Sequence, residues 1–476
     1  MTDSMDHAAL AARRTAAVLA AATGLLLGGC SQSDLLTVPT PDIVLPGDIS
    51  SAAALPNAFA AALGDFQVAY AGDGGGTAPF GSTEGLVIYS GMLADEFLNA
   101  ETFPTRLEVD ERRTNPVNSS TLPIFQLAER ARASAELVTD RYIALDPTNP
   151  QRAETQALAG FMYVLFAEDY CNGVPTSVVN PDGTFSYGDP QTGAQLLDHA
   201  IAKFDSAITV ATAVGAAGES ALELGRIGKG RALLDKNDPV AAAAAVAAVP
   251  SSYAYDIESS ENTTRQQNGI NNYTFQVQRF TVANREGGNG IPFVTLNDPR
   301  VPVVLNGVGF DNGTPFYLTF KFQELKSPTP LALGVEARLI EAEGALRAGN
   351  DASFLADLND ARANARTYAE LTSPPTAPPA APPALTLADL PTTAVGKQDL
   401  LFQERALALF GTSHRLGDLR RLIRQYGRDA ESVFPTGDYN PLGAAAGTLY
   451  GTDVNLPVPF EETNNPKYSG CLDRAP

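Results

Sequence analysis

Cys30 is the residue whose surroundings point most directly to a chemical event. It follows an apolar stretch from Ala16 to Leu27, which itself follows the basic pair Arg13-Arg14. A basic region, a short apolar core and small residues before a cysteine are typical of a lipoprotein secretion signal, in which the cysteine thiol takes a lipid. The stretch is too short to cross a bilayer as a helix, which takes about 20 residues. We therefore expect residues 1–29 to be a signal peptide and Cys30 to be lipidated.

The rest of the chain offers few residues for catalysis. After Cys30 there are two histidines, His199 and His414, with no pair at metal-ligand spacing and no serine in a strand–turn–helix setting. Asp95-Glu96 or Glu341 with Glu343 could serve as an acid–base pair on a glycosidic bond. Close neighbours on a helix point in different directions, however, and 54 acidic residues make such pairs common. The sequence predicts no catalytic site, no metal site and no cofactor.

Aromatic residues in Gly- and Asn-rich loops are the binding candidates. Tyr and Phe offer apolar faces for stacking at a small entropic cost, and loops carry binding functions more often than cores do. Two groups stand out, one after residue 70 and one between residues 280 and 317. The six candidates are Tyr70, Phe80, Tyr89, Phe280, Phe316 and Tyr317. The alternative for each is that the ring packs a loop onto a helix.

The charge balance excludes one class of partner. The formal net charge is -21, from 33 Lys and Arg against 54 Asp and Glu. Nucleic-acid binding requires a basic surface, so no such partner is expected. Membrane attachment would depend on the lipid at Cys30, because an acidic surface is not drawn to anionic lipid and stable anchoring takes more than one acyl chain.

Cys171 and Cys471 are the cysteines that remain beyond Cys30. An exported protein folds in an oxidising compartment, where two cysteines allow one disulfide. Such a bond would tie the end of the chain to its middle. Two separate buried thiols are the alternative, because the sequence does not give their distance.

Helical periodicity dominates from residue 52 onward, with apolar residues recurring at spacings of three and four. Gly, Pro and Asn signals end the predicted helices, which cover 86–98, 122–143, 155–170, 193–213, 221–234, 240–249, 331–348, 352–365, 397–410 and 414–426. Recurring pairs of such helices suggest stacking of the tetratricopeptide type. An irregular helical domain is the alternative.

Three stretches break the helical pattern. Residues 30–50 are polar and contain prolines, which predicts a tether. Residues 251–330 are rich in Asn, Thr, Gly and aromatics, which predicts a loop-rich cap with small hairpins and a strand within 273–280. Prolines crowd residues 372–384, which predicts an extended insert. We expect a single, mainly α-helical domain over residues 51–476.

Several motifs, in order along the chain, resemble those of the SusD/RagB family of outer-membrane lipoproteins. The longest spans Leu401–Arg421 and contains Glu404-Arg405 and the run from Gly411 to Arg421. The others are the helix 157–166 followed by Gly173-Val174-Pro175, the triplet Asp298-Pro299-Arg300, the helix Glu336–Gly344, and Leu456-Pro457-Val458-Pro459 with Asn465-Pro466.

The resemblance implies a SusD-like fold and a binding protein without catalysis. Members of the family cap a TonB-dependent transporter on the outer face of the outer membrane and deliver oligosaccharides or other large nutrients to it. The charged residues of the longest motif would then be structural, pairing across the last helix pair: Glu404, His414, Arg415, Asp418 and Arg420.

The absence of tryptophan is a departure from the glycan-binding members, which commonly use Trp platforms. Stacking on sugar would have to use Tyr or Phe, which argues against a starch-like ligand. Two other functions stay open from the residues alone: a surface-anchored hydrolase and a scaffolding repeat lipoprotein.

Overall fold

The structure, a computed structural model, describes residues 49–75, 83–180, 184–372 and 376–476. The expected signal peptide 1–29, Cys30, most of the tether 30–50 and the candidate Phe80 lie outside the described residues. Residues 373–375 of the proline-rich insert lie outside them as well.

The fold is mainly α-helical, which confirms the predicted fold class. The helices are α1 (Leu55–Ala71), α2 (Leu86–Leu93), α3 (Pro104–Asp110), α4 (Thr121–Leu145), α5 (Pro150–Asp169), α6 (Gly193–Val214), α7 (Glu219–Asp235), α8 (Pro239–Val246), α9 (Gly269–Asn271), α10 (Phe293–Leu296), α11 (Gly334–Arg347), α12 (Asp351–Ala363), α13 (Ala394–Ala408), α14 (Arg415–Tyr426) and α15 (Ala430–Val433).

The helix starts follow local sequence signals. Helix α5 begins with Pro150 after Asn149, whose side chain accepts a hydrogen bond from the Gln151 N–H. Helix α6 begins with a capping box between Thr192 and Gln195. These side chains satisfy N–H groups that have no partner within the helix, and so they fix where each helix starts.

Consecutive helices pack on one another in a continuous stack. Helix α4 packs on α1 and α5, α6 lies between α5 and α7, and α8 joins α7 to the pair α11 and α12. At the centre of the stack the rings of Phe161 and Phe204 lie 5.1 Å apart, edge to face. Helix pairs of the predicted kind therefore form the scaffold.

The segment Gly193–Asp235 is long and apolar enough to cross a membrane, judged by length and composition alone, with a mean hydropathy of 1.3. Gly215, at φ +65, breaks the segment between α6 and α7. The two helices then pack on each other and on α5, so this segment is a helix pair of the stack.

The strands are short and occur in antiparallel pairs. β1 (Phe97–Asn99) pairs with β7 (Phe280–Val282), and β8 (Val303–Val308) pairs with β9 (Pro315–Thr319). The remaining pairs are β2 (Val174–Pro175) with β5 (Pro190–Gln191), β3 (Val178–Val179) with β4 (Phe185–Ser186), and β6 (Ala254–Ile257) with β10 (Thr329–Leu333).

Three predicted boundaries are wrong. The helix expected over 86–98 ends at Leu93, and strand β1 follows it. Strand β10 precedes α11, so the helix expected over 331–348 starts at Gly334. Residues 269–276 are helical, and the strand expected within 273–280 is confined to β7. The described part of the proline-rich insert, from residue 376, has no regular secondary structure before Leu387.

A disulfide joins Cys171 to Cys471, with Cα atoms 6.0 Å apart. The backbone N–H of Cys171 donates to Leu456 O at 2.9 Å, and that of Leu472 donates to Asn172 O at 2.8 Å. The end of the chain is thus fastened beside the end of α5.

Candidate functional site

Four of the six aromatic candidates lie in the core. Tyr70, Tyr89, Phe280 and Phe316 are each 0% exposed. The Tyr70 hydroxyl donates to the backbone carbonyls of Pro330 and Thr412, at 2.9 and 2.8 Å. A ring without exposed surface has no face for a ligand, so these side chains serve packing and are no longer ligand-binding candidates.

Of the other two candidates, the structure describes Tyr317 alone. Tyr317, on β9, is half-buried and packs against the main core. Its backbone N–H donates to the Thr281 hydroxyl at 2.6 Å, which ties β9 to β7. Phe80 lies outside the described residues.

Two other phenylalanines are exposed where α3 and the cap meet. Phe103, just before α3, is 52% exposed, and Phe310, after β8, is 53% exposed. Arg106 and Arg279 lie beside them, and the buried Glu101 lies between the two arginines. We call Phe103, Arg106, Arg279, Phe310 and Glu101 the aromatic–arginine surface.

Cation–π contacts and ion pairs fix the geometry of this surface. The Arg279 guanidinium carbon lies 3.6 Å from the centre of the Phe310 ring. That of Arg106 lies 5.3 Å from the Phe103 ring centre. The Glu101 carboxylate accepts from Arg106 at 2.7 Å and faces Arg279 at 3.6 Å. Arginine held in this way costs less entropy when it binds a ligand, because its side chain is already ordered.

A second carboxyl group, that of Glu84, also contacts Arg106. Glu84 is 3% exposed and forms an ion pair with the Arg106 guanidinium. Burial raises the pKa of Glu84 to about 7, although the arginine acts against this. Arg106 therefore pairs with two buried carboxyl groups, and 17% of its side chain stays exposed.

A pocket of about 380 Å³ lies next to β1, whose Leu98 forms part of the pocket wall. The polar side chains that line it are Asn284, Arg285, Glu286, Thr436, Asp438 and Asn440. Tyr450 completes the lining. We call it the Glu286 pocket.

Backbone conformation shapes this pocket. Arg285 has φ +55, in the left-handed region that few side chains adopt. Gly287, at φ +58, lies so close to Pro435 and Thr436 that a Cβ there would overlap the backbone. Strained positions of this kind are frequent at ligand sites.

Glu286 is the buried acid of the pocket. It is 6% exposed, and its Oε1 accepts from the Tyr450 hydroxyl at 2.9 Å. Burial and the nearby Asp110 carboxylate raise the pKa of Glu286 well above its usual value. Asp110 itself accepts from the Tyr439 hydroxyl at 2.6 Å, and burial raises its pKa to about 7. The pocket is therefore lined by one buried acid, Glu286, that favours its neutral form, and a second buried acid, Asp110, lies near it.

His414 and the neighbouring Ser413 do not form a catalytic triad. His414 Nδ1 lies 2.8 Å from the Thr412 hydroxyl, and Nε2 lies 3.0 Å from Glu336. The Ser413 hydroxyl instead contacts Ser90 at 2.8 Å and Asp169 at 3.3 Å. His414 is 4% exposed and Ser413 is 0% exposed, so a substrate would have no access to them. The described residues contain no group of three or more His, Cys, Asp or Glu that could hold a metal ion.

Sequence reasoning missed Phe103 and did not include Phe310 among the six binding candidates. Phe103 precedes Pro104, a pair that predicts a helix start and leaves the preceding side chain outside the helix. Phe310 belongs to a Gly- and Asn-rich turn. Loop position alone did not separate exposed rings from buried ones, because Phe316 lies six residues further on and is buried.

No protein-family model matches the sequence, and no curated protein is similar enough to count as a relative. Solved structures do match. A SusD-like carbohydrate-binding protein from Bacteroides fragilis NCTC 9343 has a TM-score of 0.62 at 14% identity, over 88% of this chain and 99% of that one. A SusD superfamily protein from Bacteroides thetaiotaomicron VPI-5482 has a TM-score of 0.59 at 12% identity, over 89% and 98%.

A third match is described as a laminarin-binding SusD-like protein, with a TM-score of 0.55 at 15% identity, over 89% of this chain and 99% of that one. These identities are too low to carry over a ligand, but the agreement extends along nearly the whole described chain. The resemblance in the sequence motifs and the agreement in structure lead to the same result: the chain has the SusD-like fold.

Proposed function

We propose that this chain is a surface-exposed, nutrient-binding lipoprotein that captures an oligosaccharide and delivers it to a TonB-dependent outer-membrane transporter, without catalysis. Two of the structurally similar proteins are described as carbohydrate-binding or laminarin-binding, which supports a glycan as the nutrient. The aromatic–arginine surface is the observation that carries the proposal for this chain.

The chemistry of this surface suits a sugar. A sugar ring has apolar C–H faces, which pack on the exposed faces of Phe103 and Phe310, and hydroxyl groups at its edge. Arg106 and Arg279 present N–H donors beside those rings, and guanidinium donors bind hydroxyl oxygens. A few fixed polar groups around apolar contacts are typical of small-ligand sites.

Membrane attachment in this proposal depends on Cys30. The acidic net charge of -21 gives the protein no electrostatic attraction to anionic lipid. Acyl chains on Cys30, followed by the polar tether, would hold the binding domain at the membrane next to a transporter. A Cys30→Ser variant is expected to lose incorporation of labelled palmitate and to leave the membrane fraction.

Glycan binding is the first test. The full chain is titrated by calorimetry with laminarin, maltooligosaccharide and xylan oligosaccharides, and each mixture is also checked for cleavage products. We expect binding of at least one glycan, no product, and a loss of about 5- to 30-fold in affinity in Phe103→Ala and in Phe310→Ala, because each removes an aromatic contact.

Phe185→Ala is the matched control. Phe185 is a phenylalanine of similar exposure, 60%, carried on the separate hairpin of β3 and β4, and its removal should leave the affinity unchanged. Equal losses in all three variants, or the release of sugar products, would contradict the proposal. Delivery is tested separately, by co-purification of the tagged lipoprotein with a TonB-dependent transporter from its own membranes; recovery without one would count against the transport role.

A further inference from the structure

The Glu286 pocket contains a buried carboxyl oxygen without a hydrogen-bond partner among the described residues. Glu286 Oε1 is engaged by the Tyr450 hydroxyl at 2.9 Å, whereas Oε2 has no partner. Leaving a buried polar atom unpaired costs about 1–3 kcal/mol. Glu286 lines the pocket, but Oε2 itself has almost no accessible surface. An atom of a ligand can therefore supply the missing partner once the carboxyl group turns toward the pocket.

The charged and titratable groups around Glu286 determine what kind of atom can pair with Oε2. Asp110 and Arg112 face it from the end of α3 and the residues after it, Asp95 faces it from beyond the end of α2, and Tyr450 from the C-terminal part of the chain. Asp95 is paired with Arg415 at 2.5 Å, and Arg112 is turned to Glu431 at 3.2 Å.

A proton on Glu286 would lie on Oε2, because Oε1 already accepts from the Tyr450 hydroxyl. Burial and Asp110 favour the neutral carboxyl, and the Tyr450 hydroxyl, whose own pKa burial raises, donates to Oε1. The free oxygen is then an O–H donor, so it calls for an acceptor atom on the ligand.

We propose that the Glu286 pocket is a second carbohydrate subsite, in which the Glu286 Oε2 hydroxyl donates a hydrogen bond to an oxygen of one neutral sugar residue. The rim carries one charge of each sign, Arg285 and Asp438, which favours a neutral sugar over an acidic or an amino sugar. The exposed Asn284 and the half-buried Thr436 add amide and hydroxyl groups that can bond to sugar hydroxyls.

This subsite lies within reach of the aromatic–arginine surface. Leu98 in the pocket wall and Glu101 are three residues apart on the same stretch of chain, so their Cα atoms are at most about 11 Å apart. The turn after β8 touches both regions, since Asp311 N–H donates to Ala100 O at 3.0 Å and the Asn440 amide donates to Thr314 Oγ1 at 2.7 Å. One oligosaccharide can therefore occupy both. The inference deepens the proposed function and rests on it.

The test compares two variants of one residue in the full chain, with the oligosaccharide that the wild type binds best as the probe. Glu286→Gln keeps an N–H donor where the carboxyl has its O–H, and should bind within about 3-fold of the wild type at pH 6. Glu286→Ala removes the donor and should bind about 10-fold more weakly. Asn284→Ala should also weaken binding. Because the Asn284 side chain accepts from the Thr295 N–H and hydroxyl, both at 3.2 Å, the stability of this variant is checked by urea denaturation.

The pH profile of binding gives a readout that a merely structural role would not change. As pH rises, ionisation of Glu286 removes the donor, so wild-type affinity should fall at alkaline pH while Glu286→Gln keeps its affinity. Wild-type affinity that rises with pH would overturn the inference, as would Glu286→Ala binding as tightly as the wild type. If Phe103→Ala weakens binding while both Glu286 variants and Asn284→Ala bind normally, only the second subsite is excluded; if the wild type binds no glycan, the proposed function fails as well.

Discussion

At the scale of single residues, buried charged side chains hold the last helices against the rest of the fold. Arg405 on α13 pairs with Asp418 on α14 at 2.8 Å, which is the pairing across the last helix pair that the motif implies. Glu404 instead accepts from Arg300 and Arg362, at 2.6 and 2.5 Å. The motif charges therefore have structural contacts, and several of them reach beyond the last helix pair.

Arg420, another charged residue of the motif, has its contacts at the end of α5. Its guanidinium donates to the backbone carbonyls of Ala167 and Tyr170, at 2.9 and 3.2 Å, and also to that of Glu168. These carbonyls belong to the end of α5, where helix carbonyls have no partner within the helix. A single guanidinium nitrogen, Nη1, makes all three contacts, so Arg420 closes the open end of this helix.

Glu96 carries a pH-dependent cost in stability. It is 0% exposed, and its Oε1 accepts from the Gly411 N–H at 3.0 Å. Burial, with a contribution from Asp95, raises the pKa of Glu96 to about 8. Between pH 4.5 and 8 the folded state holds this proton more tightly than the unfolded state does, so this residue lowers the free energy of unfolding as pH rises through that window.

We expect Glu96→Gln to remove this loss, because glutamine does not ionise. The free energy of unfolding of the variant, relative to the wild type, should be higher at pH 8 than at pH 5, as measured by urea denaturation at both values. Glu258→Gln, at an exposed position, is the control and should show no such difference. A Glu96→Gln variant with the same difference from the wild type at both pH values would contradict the assignment.

At the scale of elements, close contact between α5, α6 and α7 depends on glycine. The buried Phe204 ring of α6 lies between Gly160 of α5 and Gly228 of α7. A Cβ at Gly160 would be 2.7 Å from Phe204 Cε1, which is closer than two carbon atoms can approach. Small residues at these two positions therefore set the spacing of the stack.

Gly160→Ala is expected to lower the free energy of unfolding by about 1–3 kcal/mol, because the extra methyl group overpacks the core. Gly64→Ala is the matched control: Gly64 is also inside a helix, α1, but nothing lies within 4 Å of its added Cβ. The control should gain about 0.5–1 kcal/mol from helix propensity. Urea denaturation measures both, and a gain in both variants would mean that the Phe204 contact does not limit the spacing.

Periodicity predicts the long helices well and the short strands poorly. A helix such as α6 has 22 residues over which apolar positions repeat, whereas β7 has only three residues, all of them buried. Three residues are too few to show alternation, and half of the apparent alternation over 273–280 falls on helical turns, which end at Gln276. Pairing with β1, almost 200 positions earlier in the chain, decides the strand, and that partner cannot be read from the local sequence.

At the scale of the whole molecule, both candidate binding regions combine distant parts of the chain. The aromatic–arginine surface joins residues near 103 to residues near 310, and the Glu286 pocket joins residues near 286 to residues 436–450. Sequence composition identifies the cap as the place to look, but exposure is decided by packing between these segments. This is why the fold class could be predicted and the exposed rings could not.

The same long-range closure makes the disulfide a determinant of overall stability. Cys171 and Cys471 are 300 positions apart, and a cross-link over such a long loop restricts the unfolded chain strongly. We expect reduction by dithiothreitol, or the double change Cys171→Ser and Cys471→Ser, to lower the free energy of unfolding by about 2–5 kcal/mol. Urea denaturation with and without reductant measures it.

The C-terminal segment should respond to the loss of the disulfide before the rest of the fold does. Its remaining ties to the end of α5 include hydrogen bonds from the Asn172 amide to Asp473 Oδ1 and from the Leu472 N–H to Asn172 O, both at 2.8 Å. Short segments held by few contacts open locally. Trypsin should therefore cleave at Lys467 sooner in the double variant, and reductant should have no further effect on that variant. Equal unfolding midpoints and equal cleavage rates in oxidised wild type and double variant would show that α5 and the chain end stay together without the bond.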